Sequence, residues 1–326
     1  MVDDIVTRRA TRDDFNAVLE LLRRSLGWVD DDARFLEWKH LQNPFGESPM
    51  WVALARSRVV GFRAFLRWEL VGPDGRVRHA ARAVDTATDP DFEGRGIFTR
   101  LTLEAVAALP AEGVDLVFNT PNARSLPGYL KMGWAEVGRL PAAVRPARWR
   151  FATVVATARR PAQRGSVATS IGLPAGEGLA DPRPVDRLLE SAAAPLGLAT
   201  RRSPAYLQWR YGHPDLGYRV LVAGSHADPD GLLVFRLRRR GAAIEGVIDD
   251  LVVPRGSPEV ARSLVDRLAR AREADYLIRL QESRVTRDGF VRLPQVGPIL
   301  VGRSLTDIPV PDRRGWAPSM GDVELL

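Results

Sequence analysis

Gly94 and Gly96 stand one residue apart, between a strand-like run, Val77 to Thr88, and a helical stripe that opens at Ile97. Glycines at such a junction let the backbone approach a ligand with no Cβ in the way, and the first helical turn points unpaired N–H groups into it. A site of that kind favours an anion such as pyrophosphate. The third glycine and βαβ setting of a dinucleotide fingerprint are missing, and no Gly-Lys-Ser/Thr follows to make a nucleoside triphosphate loop. The chain has no cysteine, which excludes disulfides, thiolate nucleophiles and cysteine metal sites. His40, His79, His213 and His226 are scattered without ligand spacing, so no metal is expected. No Gly-x-Ser-x-Gly elbow is present, which disfavours a serine hydrolase.

The context of the two glycines narrows the chemistry. Thr88-Asp89-Pro90-Asp91-Phe92-Glu93-Gly94-Arg95-Gly96-Ile97-Phe98-Thr99-Arg100-Leu101 resembles the acetyl-CoA signature of the GNAT superfamily of N-acetyltransferases. Downstream, Asn122 is followed seven positions later by Tyr129 and then by Lys131-Met132-Gly133-Trp134, which is similar to that family's second signature. The resemblance is close from Asp85 to Trp134 and rests on element order over the rest of the first half. Glu93 stands where the family usually has Arg or Gln, and Phe98 where it usually has a small residue.

The resemblance implies acetyl-CoA or another short acyl-CoA as co-substrate. Thr86, Ala87 and Thr88 would offer backbone groups to the pantetheine arm. The turn from Glu93 through Gly94, Arg95, Gly96, Ile97 and Phe98 to Thr99 would hold the pyrophosphate, and Asn122 with Ser125 would contact the arm. Tyr129 would act as general acid on the leaving thiolate. Asp85 is the first candidate for the base that keeps the attacking amine neutral, with Glu37, His40 or a water chain as alternatives. Glu37, Trp38, His40 and Asn119 are candidates for the acceptor side. A carboxylate beside a pyrophosphate is unfavourable unless it turns away or pairs with Arg95 or Arg100, and Phe98 could pack under the helix.

The elements that must position these groups alternate along the first half. Phe15, Val18, Leu19, Leu21 and Leu22 make a helical stripe over Thr11 to Leu26, opened by a cap-like Thr-Arg-Asp-Asp. Met50 to Ala55 and Val59 to Trp68 read as strands, and Pro73-Asp74-Gly75 as the turn before Val77 to Thr88. Then come a helix Ile97 to Leu109, a strand Val114 to Asn119, a short helix Arg124 to Met132 and a strand Trp134 to Leu140. The expected fold class is α+β, with mixed, mostly antiparallel sheets flanked by helices.

The pattern then repeats. Phe35-Leu36-Glu37-Trp38-Lys39-His40 resembles Tyr206-Leu207-Gln208-Trp209-Arg210-Tyr211, and Asp85 precedes Pro90 by the interval at which Asp249 precedes Pro254. Helix Val260 to Arg272 matches Ile97 to Leu109, and Gly289-Phe290 matches Gly133-Trp134. Two tandem copies of one fold follow. Residues 1–150 form the acyl-CoA-binding catalytic domain, 151–182 a linker, 183–310 a degenerate copy lacking the pyrophosphate loop, and 311–326 a tail.

The chain has 326 residues, 45% of them hydrophobic, room for two domains. No apolar run is long enough to span a membrane, and a cytoplasmic location is the default. The net charge of +7 is carried almost wholly by arginine, since Lys39 and Lys131 are the only lysines. Arginines are spread among acids, with one dense run at Arg236, Arg238, Arg239 and Arg240, which reads as a solvated face before it reads as a nucleic-acid groove. The function expected is N-acylation of a small-molecule amine by direct transfer from acyl-CoA. The alternatives are an enzyme similar to aminoacyl-tRNA-dependent peptidyl transferases, which share the doubled fold, and a non-catalytic CoA-binding module.

Overall fold

The computed structural model describes residues 4–27, 33–148, 161–281 and 288–324. The first half supplies β1 (Ile5–Arg9), α1 (Phe15–Leu26), α2 (Ala33–Leu41), β2 (Met50–Ala55), β3 (Arg58–Val71), β4 (Val77–Thr88), α3 (Ile97–Ala108), β5 (Leu116–Asn119), α4 (Leu126–Lys131), β6 (Ala135–Arg139) and β7 (Ala142–Pro146). The second half supplies β8 (Leu173–Pro174), α5 (Ala175–Gly178), α6 (Pro182–Ser191), β9 (Ala199–Thr200), α7 (Pro204–Gly212), β10 (Arg219–Gly224), β11 (Pro229–Arg240), β12 (Ala243–Val252), α8 (Pro258–Arg270), β13 (Tyr276–Leu280), β14 (Val291–Arg292), β15 (Ile299–Ser304) and α9 (Met320–Val323).

Local chemistry accounts for the helices. All five residues of the α1 stripe are buried. Thr11 and Asp14 form a capping box ahead of α1, and Gly27 ends it at φ +68°.

The first sheet runs β1-β2-β3-β4-β5-β15-β6, and the second runs β14-β7-β13-β12-β11-β10-β8. Both are mostly antiparallel, with parallel pairs at β4–β5 and β12–β13. The two orders correspond position by position except for one reciprocal exchange. β15, from the second half, pairs antiparallel with β5 (Val301 opposite Asn119), and β7, from the first half, pairs antiparallel with β13 (Ala142 opposite Leu280). Each strand closes a slot that would otherwise leave a row of backbone groups unpaired.

The compact units therefore depart from the boundaries read off the sequence. One gathers Met1–Gly72, Arg76–Gly138 and Ile299–Arg313, and the other Pro73–Gly75, Arg139–Pro298 and Arg314–Leu326. The expected linker is also corrected in part. Residues 149–160 lie outside the described residues, but Leu173 pairs with Val220 and Ser166 bonds the Leu216 carbonyl at 2.6 Å, so this stretch belongs to the second sheet. The expected tail is divided as well, 311–313 going with the first unit and 314 onward with the second.

In each unit a helix packs on the sheet over a buried apolar core. Ile97, Leu101, Ala105 and Val106 of α3 meet Val60, Phe65, Ala81, Ala83 and Val117, while Leu264, Val265 and Leu268 of α8 meet Leu233, Phe235, Leu237 and Leu277. A glycine permits the approach in both. A Cβ on Gly61 would run into Ile97 and Leu101, and one on Gly231 would lie 2.9 Å from Val260 and 3.2 Å from Leu264. The sequence repeat is thus a structural repeat.

Candidate active site

β4 carries a bulge at the centre of the first unit. Phe62 opposes Ala87 and Ala64 opposes Val84, so Asp85 and Thr86 together face the single residue Arg63. Asp85 takes φ +46°, a conformation unusual for a non-glycine residue. Pairing between β4 and β5 covers Ala80 to Arg82 against Leu116 to Phe118, while β4 runs on to Thr88. The sheet is split beyond that point, and the β4 backbone there faces the gap.

A cavity of about 380 Å³ opens beside the split. Thr86, Ala87 and Thr88 line it on the strand side, and Glu93, Gly94, Gly96, Ile97 and Phe98 on the helix side. Gly94 and Gly96 have φ of +75° and +74°, and a Cβ on either would meet no protein atom within 4 Å. The sequence there is constrained by backbone shape and by open space at the cavity wall. Gly96 caps α3, whose first N–H groups have no intrahelical acceptor. Asp89, buried, accepts from the Asp91 N–H at 3.1 Å and pairs with Arg24 and Arg58, which fixes the loop's entry.

Gly96→Ala is expected to lower stability by about 1 kcal/mol, the cost of a side chain at positive φ. It should weaken acyl-CoA binding more than that cost alone would, because the added methyl stands at the cavity wall. Titration calorimetry with acetyl-CoA beside a thermal melt separates the two effects.

The remaining residues of the expected cofactor set take varied positions. Arg95 stacks its guanidinium 4.7 Å over the Phe92 ring, and Thr99 is exposed on the first turn of α3. Glu93 is exposed, and Arg100, one neighbour it could have paired with, instead bonds Glu104 at 2.9 Å and the Ile5 carbonyl at 2.8 Å. The Asn122 side-chain oxygen accepts from the backbone N–H groups of Arg124 and Ser125, both at 3.0 Å, and from the Ser125 hydroxyl at 3.2 Å. Its oxygen is thereby committed to starting α4, and its amide nitrogen is the group left to reach a ligand.

Tyr129 is 4% exposed. The Phe98 ring lies edge-on to it at 5.7 Å and the Trp134 ring at 5.3 Å. Its hydroxyl oxygen accepts a 2.8 Å hydrogen bond from Arg63, whose other terminal nitrogen donates to the Thr86 hydroxyl. Sequence reading missed Arg63. Its signal was a charged residue within the apolar run Val59-Val60-Gly61-Phe62-Arg63-Ala64-Phe65-Leu66, where alternation calls for an inward-facing side chain. Ser25 and Leu26 were also missed. They line the cavity from the end of α1, and the Ser25 hydroxyl donates to the Thr88 carbonyl at 3.0 Å.

The Asp85 carboxylate is buried and paired, lying 2.7 Å from the Lys39 ammonium and 2.9 Å from His40 Nε2. Burial alone would raise its pKa, but Lys39 and the His40 hydrogen bond outweigh that and hold it well below the usual carboxylate range. His40 Nδ1 lies 3.0 Å from the Ser48 hydroxyl. Burial pushes the imidazole below its ordinary value, against the opposing pull of Asp85.

Of the acceptor-side candidates, Glu37 is paired with Arg12 at 2.8 Å and Trp38 is core, its ring tilted against Phe35 at 5.3 Å. Neither these nor His40 line the cavity. Asn119 ends β5 with a buried side-chain oxygen that has no hydrogen-bond partner among the described residues.

The depressed His40 pKa makes stability depend on pH. The unfolded chain takes up a proton near pH 6.5 and the folded chain does not, so this contribution is complete above about 6.5 and is lost as pH falls below it. Asp85 keeps its own contribution until pH drops under the ordinary carboxylate value. Melting temperature is expected to fall between pH 7.5 and 5.5, and the slope should flatten in His40→Gln.

The second unit repeats this layout without the cofactor wall. Asp249 sits on the corresponding bulge of β12, where Val234 opposes Asp250 and Phe235 opposes Ile248. Arg210 and Tyr211 occupy the places of Lys39 and His40, and Arg210 is fully buried beside Asp249. Between β12 and α8 there is no glycine pair, and α8 opens with Pro258, which has no N–H to offer. Three of the four arginines of the dense run form internal ion pairs. Arg236 pairs with Glu324 at 2.7 Å, and Arg238 and Arg240 pair with Glu245 at 2.6 and 2.7 Å. Burial and the nearby Glu324 push the Asp249 carboxyl well above its ordinary value. Among the described residues no cluster of three or more His, Asp or Glu could hold a metal, and no helix is long and apolar enough to cross a membrane.

Comparison with known proteins places this architecture. Residues 6–137 match the family model described as an acetyltransferase (GNAT) domain. No curated protein matches the sequence. Among solved structures, a GCN5-related N-acetyltransferase from Anabaena variabilis is similar at 15% identity and a TM-score of 0.65, covering 93% of this chain and 73% of that one. A conserved protein of unknown function from Enterococcus faecalis, described as a probable N-acyltransferase, is similar at 12% identity and a TM-score of 0.67, with coverage of 93% and 73%. Eis1 from Mycobacterium abscessus is similar at 17% identity and a TM-score of 0.58, covering 93% of this chain and 74% of that one. At these identities the likeness is one of fold, and the family match is confined to residues 6–137, the stretch that carries the glycine turn and the split sheet.

Proposed function

We propose that the first unit transfers a short acyl group from acyl-CoA to the amine of a small molecule by direct attack. The observation that carries this reading is the cavity wall, where two positive-φ glycines open α3 opposite the stretch of β4 beyond its pairing with β5. Main-chain donors there suit a diphosphate, and the β4 edge suits the amides of a pantetheine arm. Thr86 to Thr88 and the turn from Gly94 to Phe98 would hold the cofactor, with the Asn122 amide nitrogen contacting the arm.

The thioester carbon would accept the amine nitrogen, the carbon–sulfur bond would break with its electron pair on sulfur, and Tyr129 would give its proton to the thiolate. Asp85 is a poor base in this arrangement, since its charge is already shared by Lys39 and His40. A buried aspartate, Asp249, also stands at the matching position of the unit without a cofactor wall, which supports a structural role for this position. A water would then take the amine proton.

Phe98 favours a second reading, a CoA-binding module without turnover, because its ring packs directly on Tyr129. Titration calorimetry with acetyl-CoA and a thiol-release assay over a panel of amines test both. Binding with turnover supports transfer, and binding without turnover on every amine supports the module. No heat and no thermal shift at millimolar acetyl-CoA sinks both.

A further inference from the structure

Arg63 is a buried cation at the candidate site, 1% exposed, and both its hydrogen-bond acceptors are neutral hydroxyls, those of Thr86 and Tyr129. A guanidinium withdrawn from water is costly unless something offsets its charge. Here aromatic faces contribute, with Phe65, Tyr129 and Phe98 at 4.8, 5.4 and 5.6 Å from its central carbon. Its Nε is buried without a hydrogen-bond partner among the described residues. Such a charge is at hand for an anion that appears beside it.

We propose that Arg63 is a positioning residue for acyl transfer, holding the Tyr129 phenol with its O–H turned outward and stabilising the phenolate formed when that proton passes to the leaving thiolate. This rests on the acyl-transfer reading above. Because Arg63 donates into the phenol oxygen, the phenol hydrogen must point to another acceptor. When the carbon–sulfur bond breaks and its electron pair goes to sulfur, the Tyr129 proton moves to sulfur. The negative charge left on the phenol oxygen then lies 2.8 Å from a guanidinium nitrogen. Solvent later returns the proton. Arg63 touches neither the thioester nor the amine; it acts through Tyr129. Phe98 and Thr86 line the cavity and also touch Arg63, so the guanidinium lies immediately behind that wall.

The test uses the full chain with Arg63→Met, Arg63→Lys, Tyr129→Phe and the double variant Arg63→Met/Tyr129→Phe. Arg63→Met is expected to lower kcat roughly 10- to 100-fold, the weight of a hydrogen bond to a charged group, with the KM for acetyl-CoA little changed. Arg63→Lys, which keeps the charge, should fall between it and the natural enzyme, and it carries the test if the methionine variant does not fold. In the Tyr129→Phe background Arg63→Met should cost nothing further. With an acetyl thioester of an acidic aromatic thiol, which leaves without a proton, the Arg63 deficit should largely vanish. Additive losses in the double variant, or a deficit that ignores the leaving group, would overturn the proposal and leave Arg63 a packing residue. If the natural chain releases no thiol with any donor and amine, the acyl-transfer reading itself fails and this proposal with it.

Discussion

Tyr129→Phe is expected to lower kcat for acyl transfer by about 100-fold or more, the usual weight of a positioned general acid. The KM for acetyl-CoA should stay close to that of the natural enzyme, because the hydroxyl is proposed to act on the departing sulfur and the cofactor is proposed to bind elsewhere, along β4 and the glycine turn. A loss confined to kcat marks an interaction made only in the transition state. The ring keeps its contacts with Phe98 and Trp134, but buried Arg63 loses one of its hydrogen-bond acceptors, so stability should fall by about 1–3 kcal/mol. Steady-state kinetics beside a thermal melt check both halves. A variant with unchanged kcat would remove Tyr129 from the chemistry and reduce it to a core residue of a short helix.

Lys39→Met should produce the largest loss of stability. Lys39 and Asp85 are 1% and 6% exposed, and deleting one partner of a buried ion pair leaves the other charge in the interior. That costs about 3–5 kcal/mol, more than either the pair or a matched neutral replacement. His40 offsets part of the cost, since it still meets the Asp85 carboxylate at 2.9 Å. The double variant Lys39→Met/Asp85→Asn should recover much of the stability, because no unpaired charge remains. Denaturant unfolding of the single and double variants measures this directly. If Asp85→Asn alone unfolds the chain less than Lys39→Met does, the stranded carboxylate is the source of the damage. If Asp85→Asn instead abolishes turnover with stability intact, the carboxylate has a chemical role after all.

Features within a few residues of each other could be read from the sequence. The α1 stripe, the capping box of Thr11 and Asp14, the glycine turn before α3 and the doubled element order depend on periods and spacings along the chain. Gly94 and Gly96 were legible because two glycines so close together ahead of a helical stripe mark a turn at positive φ, which glycine adopts with least strain. The bulge aspartates were visible as a repeated interval before proline, but what they touch was not.

The tertiary structure decided the rest. Ala142–Pro146 and Ile299–Ser304 are short, apolar and nearly interchangeable as strands, so nothing local says which sheet each will close, and only pairing energy across distant segments makes the exchange. The partners of Asp85, Lys39 and His40, come from a helix more than forty residues earlier, and only the fold brings them to its carboxylate. Arg63 and Tyr129 are sixty-six residues apart and meet only because β3 and α4 are folded against the same split. Periodicity specifies which face of an element is buried. It carries no information about which buried polar groups will face one another, because that depends on contacts whose partners are far apart along the chain.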